Sequence, residues 1–128
     1  MKINFFIIVL AILSFSACAQ TEQVKQVTST EVSKLIATDN KLVILDVRTS
    51  EEFNAGHIKG AINIDIKQPD AFARIDSLNH NARYIVHCRT NHRSKIAVTH
   101  MQESGFKNIN QMTDGYVGWH QNGLFESK

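Results

Sequence analysis

The chain has 128 residues, of which 43% are hydrophobic and 20% charged, with a formal net charge of +2. That length and apolar content suit one domain with a real core and argue against global disorder. So small a charge, with no clustering of basic and aromatic residues, gives no support to a nucleic-acid partner or an acidic membrane surface.

Lys2 is followed by Ile3 to Phe15, apolar except at Asn4 and Ser14. The run is shorter than the roughly 20 residues of a spanning helix and has the shape of a secretory h-region. It ends in Phe15-Ser16-Ala17-Cys18, which resembles the lipobox of bacterial lipoproteins, with Phe15 in place of the usual aliphatic residue. The resemblance implies that residues 1–17 are removed and that Cys18 becomes the lipidated first mature residue. The protein would then sit on the periplasmic side of a bacterial membrane. The alternative is an ordinary signal peptide cut near Ala17 or Ala19, with Cys18 incidental. Residues 18–26 read as a polar tether and 27–128 as the domain. The sequence holds two cysteines. With Cys18 consumed by the leader or the lipid, Cys88 has no disulfide partner.

Val27 closes a short strand. Ser29 or Thr30 caps a helix to about Thr38, with Val32, Leu35 and Ile36 on one face. Leu42 to Leu45 is a continuous apolar run, as in a strand covered on both faces, with Asp46-Val47-Arg48 at its carboxyl end. Ser50 caps a short helix holding Glu51, Glu52 and Phe53, which Gly56 stops. His57 to Gly60 is a turn and Ala61 to Ile64 a strand. Pro69 fits the first turn of a helix from about Gln68 to Leu78. Tyr84 to Val86 is a buried strand, Lys95 to Ser104 a helix ended by a left-handed Gly105, and Lys107 to Met112 a last strand. Asp114-Gly115 leads into a helix carrying Tyr116 and Trp119. Strands alternating with helices predict an α/β domain with a mainly parallel sheet, whose ligands bind beyond the carboxyl ends of the strands.

Two loops emerge at that edge: Asp46 to Arg48, and Cys88-Arg89-Thr90-Asn91-His92-Arg93-Ser94. The second runs from a strand to a helix start, so its N–H groups and the helix N-terminus surround one thiol. Such surroundings favour thiolate, the attacking form. Cys88 is the candidate nucleophile. Arg89 and Arg93 add two cations nearby, and His92 is the one histidine placed to touch a ligand there. His87 is expected to point away from the loop, because strand neighbours alternate faces.

The chain resembles the single-domain rhodanese (thiosulfate sulfurtransferase) family from about Val27 to Phe125. The resemblance rests on Leu45-Asp46-Val47-Arg48, Glu51-Glu52-Phe53, Gly56-His57-Ile58 with Gly60-Ala61-Ile62-Asn63, Cys88 to Ser94, and Gly115 with Trp119. It implies a five-stranded parallel sheet flanked by helices, a persulfide on Cys88, and a six-residue binding loop from Cys88 to Arg93, with Ser94 behind it. Two positions depart from the family: Asn91 stands where glycine is usual, and Asp114 replaces the first of paired glycines. A positive φ is expected at Asn91, which asparagine tolerates. Asp46 and Arg48 are read as a structural pair holding the loop from behind. His57 is expected to make turn hydrogen bonds, and Phe53 and Trp119 to pack in the core. The histidine spacing suggests no metal, and no cofactor is expected.

The reading is a sulfurtransferase taking sulfane sulfur from a small anion such as thiosulfate or polysulfide to a thiol or cyanide, acting as a monomer. A non-catalytic sulfur carrier using the same cysteine is the alternative. A cysteine phosphatase or arsenate reductase fits less well. The similar phosphatase loop has one residue more than the four here between Cys88 and Arg93, and no resolving cysteine is present.

Overall fold

The computed structural model describes residues 23–128. The expected leader and Cys18 lie outside them. Element order is β1 (Lys25–Val27), α1 (Ser29–Thr38), β2 (Val43–Asp46), α2 (Ser50–Ala55), β3 (His57–Ile58), β4 (Ile62–Asn63), α3 (Ala71–Asp76), β5 (Arg83–His87), α4 (His92–Glu103), β6 (Asn108–Met112), α5 (Gly115–Gln121) and β7 (Glu126–Ser127). Five strands form one parallel sheet in the order β1-β6-β5-β2-β4. The expected α/β architecture, a five-stranded parallel sheet flanked by helices, is therefore present. Lys25 and Gln26, read as tether, are already strand residues paired with Asn110 and Gln111.

Both faces of the sheet are covered, which explains the continuous apolar strands. Leu45, Tyr84, Val86 and Cys88 pack with Ala71 and Ile75 of α3 and Ala97, Val98 and Met101 of α4. Ile44 and Ile85, one residue out of phase, pack on the other side with Val32 of α1 and Trp119 of α5. Strand alternation thus sends Cys88 to the α3/α4 side and His87 to the α1/α5 side.

Several boundaries differ from expectation for physical reasons. The cap of α1 is Thr28 and that of α2 is Thr49, each one residue early, and each forms a reciprocal capping box with Glu31 or Glu52. Helix α3 is only Ala71–Asp76, so Pro69 lies in the turn before it. Helix α4 begins at His92, inside the cysteine loop, three residues before the expected Lys95. The predicted turn at His57 is instead β3, paired antiparallel with β7, an element that sequence periodicity missed. Gly105 is left-handed as expected, with φ +87°.

Candidate active site

Strand β5 ends at His87 and delivers Cys88 to the carboxyl edge of the sheet, where it is 1% exposed. Cys88 is the free cysteine among the described residues. Its thiol donates to Ser94 Oγ across 3.6 Å. The carbonyls of Cys88 and Arg89 accept from the N–H groups of Tyr116 (2.9 Å) and Val117 (3.0 Å), in the first turn of α5. The amides from Arg89 to Ser94, by contrast, find no acceptor among the described residues. A segment with engaged carbonyls and free amides is a ready cradle for an anion.

Gly115 makes this docking possible. Its φ is +59°, and a Cβ there would collide with the carbonyl oxygens of Arg89 and Thr90. Asp114 does something different. Its carboxylate accepts from Ser29 N–H (2.8 Å) and Oγ–H (2.6 Å), tying the start of α1 to α5.

The loop is braced from two sides. The terminal nitrogens of Arg93 donate to both oxygens of Glu52, at 2.7 and 2.9 Å. This pair holds the Glu52 carboxyl down at about 2. From β6, Gln111 Nε2 donates to Asn91 Oδ1 (2.6 Å) and Ser94 Oγ (3.1 Å). Asn91 has φ −149°, not the expected positive value. Its side chain is a hydrogen-bond acceptor for Gln111, so the residue needs no left-handed conformation to be useful there.

Behind the loop, Arg48 is buried with Asp46. Nε lies 3.0 Å from each carboxylate oxygen, Nη2 is 2.6 Å from Oδ2, and Nη2 also reaches the Gly56 carbonyl at 2.8 Å. The guanidinium stacks on the Tyr116 ring at 3.8 Å. This is the expected structural pair, and it supports both α2 and α5. Asn63 Nδ2 adds bonds to the carbonyls of Asp46 and Arg48, at 3.0 and 2.9 Å. His87 is fully buried and points away from the loop. Burial holds its ring below the usual histidine range, and its Nδ1 lies 3.1 Å from the Cys88 carbonyl. His57 bonds the Phe53 carbonyl at 2.9 Å and stacks on its ring.

Arg89, Thr90 and His92 are exposed. Arg89 has no carboxylate partner among the described residues, and it lines a cleft of about 470 Å³ between α2 and α5, with Glu52, Tyr116 and Val117. Sequence reasoning gives no role at the site to Glu52, although it lies in a motif of the resemblance, and does not mention Gln111. Glu52 stands in a Thr-x-x-Glu capping pattern, and Gln111 is a buried amide in a central strand, where it must find a partner.

Residues 28–122 match the family described as Rhodanese-like domain. The chain belongs to the rhodanese-like family. Among relatives of this rhodanese-like domain is Thiosulfate sulfurtransferase 16 of Arabidopsis thaliana, 37% identical over 90 residues, covering 62% of this chain and 75% of that one. The putative sulfurtransferase YtwF of Bacillus subtilis is 28% identical over 97 residues, covering 76% and 91%. The putative sulfur carrier protein YrkF of the same organism is 32% identical over 84 residues, covering 66% of this chain and 44% of YrkF. In structure, a rhodanese-related protein of Thermoplasma volcanium superposes with a TM-score of 0.69 at 26% identity, covering 80% and 97%. The rhodanese-like family of this chain thus includes both sulfurtransferases and sulfur carriers.

Proposed function

We propose that this rhodanese-like domain is a sulfurtransferase that carries sulfane sulfur on Cys88. The carrying observation is the amide cradle: six consecutive N–H groups without partners among the described residues, from Arg89 to Ser94, beside one buried thiol. Cys88 thiolate attacks the outer sulfur of a donor such as thiosulfate. The new sulfur–sulfur bond forms as the old one breaks, and sulfite leaves with the electron pair. Fixed amide dipoles stabilise the resulting persulfide anion. A thiol or cyanide then takes the outer sulfur and restores Cys88 thiolate. Arg89, exposed at the cleft and without a carboxylate partner among the described residues, attracts the anionic donor. Arg93 is occupied by Glu52 and holds the loop.

The short loop, with four residues between Cys88 and Arg93, favours a sulfur atom over a tetrahedral phosphate. Intact mass after exposure to thiosulfate should rise by one sulfur, localised to Cys88, and Cys88→Ser should abolish the gain and turnover. Full turnover in Cys88→Ser would defeat this reading. The carrier alternative is favoured by the likeness to YrkF. It requires loading of Cys88 without steady-state turnover when thiosulfate and a small thiol are both supplied.

Residues 1–18 support a further proposal, that the monomeric domain is exported and held at the membrane by lipid on Cys18. Cys18→Ala should then release it from the membrane fraction; unchanged retention would refute the lipid anchor.

A further inference from the structure

We propose that Gln111 is a positioning residue that acts through Ser94 to stabilise the anionic sulfur of Cys88. The inference rests on the reading of Cys88 as the nucleophile, and on proton counting at one hydroxyl.

Three groups converge on Ser94 Oγ: Gln111 Nε2 at 3.1 Å, Cys88 Sγ at 3.6 Å and the Asn91 carbonyl at 2.9 Å. A hydroxyl has one proton and two lone pairs. An amide nitrogen only donates, so Gln111 occupies one lone pair. With Cys88 as thiol, S–H occupies the second, and the Ser94 proton goes to the Asn91 carbonyl. Every site is then filled.

When Cys88 loses its proton, the sulfur becomes an acceptor only. The Ser94 proton turns from the Asn91 carbonyl to the sulfur, at a separation that still permits a bond to sulfur. The abandoned carbonyl keeps a donor, because the Lys95 N–H also bonds it, at 3.2 Å. Gln111 Nε2 holds Asn91 Oδ1 at 2.6 Å, so Asn91 cannot drift as the proton moves. Gln111 is 4% exposed and Ser94 fully buried, so water does not readily replace either bond. A buried charge-assisted bond of this kind is worth more than a neutral one. The site thus carries a hydroxyl with two stable orientations, one for each protonation state of the sulfur. Asn91, where the family has glycine, supplies the side chain that pins Gln111 in place.

Other charged or titratable groups near Cys88 stay unchanged in the test. They include Arg93 from α4 with Glu52 of α2 paired to it, Arg89 and His92 in the loop, and Asp46 with Arg48 and His87 on the opposite side of the strands. Packed with Cys88 on its own side are Ala71 and Ile75 of α3 and Tyr84 of β5.

The test is the rate at which iodoacetamide alkylates Cys88 in the full chain as a function of pH, with near-ultraviolet dichroism to check the fold. It needs no sulfur donor, so its failure is distinct from a failure to load sulfur. Q111M, close in shape but without a donor, should alkylate about tenfold more slowly at neutral pH, with its profile displaced to higher pH. S94A should show a displacement at least as large, and the double variant Q111M/S94A no more than S94A alone. Additive effects would mean that Gln111 acts by packing rather than through Ser94, and would overturn the proposal. So would a parental profile in Q111M. S94A is the arm that survives if Q111M does not fold: an unchanged S94A profile overturns the proposal by itself.

Discussion

Glu52 and Arg93 form a two-point ion pair that joins the first turn of α2 to the first turn of α4, at 2.7 and 2.9 Å. The same carboxylate caps α2, accepting from Thr49 N–H and Oγ–H at 3.0 Å each. One residue therefore serves a helix terminus and the cysteine loop together.

The Glu52 carboxyl lies at about 2 against an ordinary 4.5, held down first by the Arg93 bonds. A depressed carboxylate stabilises the fold in full above its unfolded value and loses that contribution as pH falls through the folded one. Stability should therefore decline between pH 4.5 and about 2. Partial exposure screens the pair, so the contribution is about 1 kcal/mol. Urea titrations at several pH values should show a shallower acid slope in Glu52→Gln. An identical slope would show that the pair does not contribute.

Gly115→Ala places a Cβ against the carbonyl oxygens of Arg89 and Thr90 at a positive φ. The expected cost is more than about 1 kcal/mol. The larger consequence is chemical, because α5 must shift and release the carbonyls of Cys88 and Arg89. Sulfur loading measured by mass should fall even where far-ultraviolet dichroism stays native. Normal loading in a folded Gly115→Ala would argue against α5 as the element that orients the loop.

Asp114→Gly restores the residue usual in the family, yet it should destabilise this chain. Ser29 is fully buried, and its N–H and hydroxyl both depend on the Asp114 carboxylate. Leaving that amide without an acceptor costs about 1–3 kcal/mol, visible as a lower urea midpoint. A midpoint at or above the parental one would show that Ser29 finds another partner.

The sheet and the loop are legible in sequence because their signals are contiguous. Tyr84 to Val86 announces a covered strand, and Cys88 to Ser94 follows it without interruption. The braces are hidden because they act through space. Glu52 meets Arg93 only after α2 and α4 are brought together, and Gln111 meets Asn91 only across the β5–β6 pair. The caps of α1 and α2 read one residue late because Ser29 and Ser50 are also good caps. The full Thr-x-x-Glu pattern at Thr28 and Thr49 decides between them. Helix α4 starts at His92 because loop and helix overlap, so no boundary residue separates them. Strand β7 has two residues, too few for any period to show, and its existence depends on His57 and Ile58 as partners.

Helix α5 takes the carbonyls of Cys88 and Arg89, although it follows them late in the chain. A nascent polypeptide that has made the cysteine but not yet Tyr116 and Val117 has nothing to turn those peptide groups. On the sulfurtransferase reading proposed above, the surroundings of the thiol are completed only after Tyr116 and Val117 have been made.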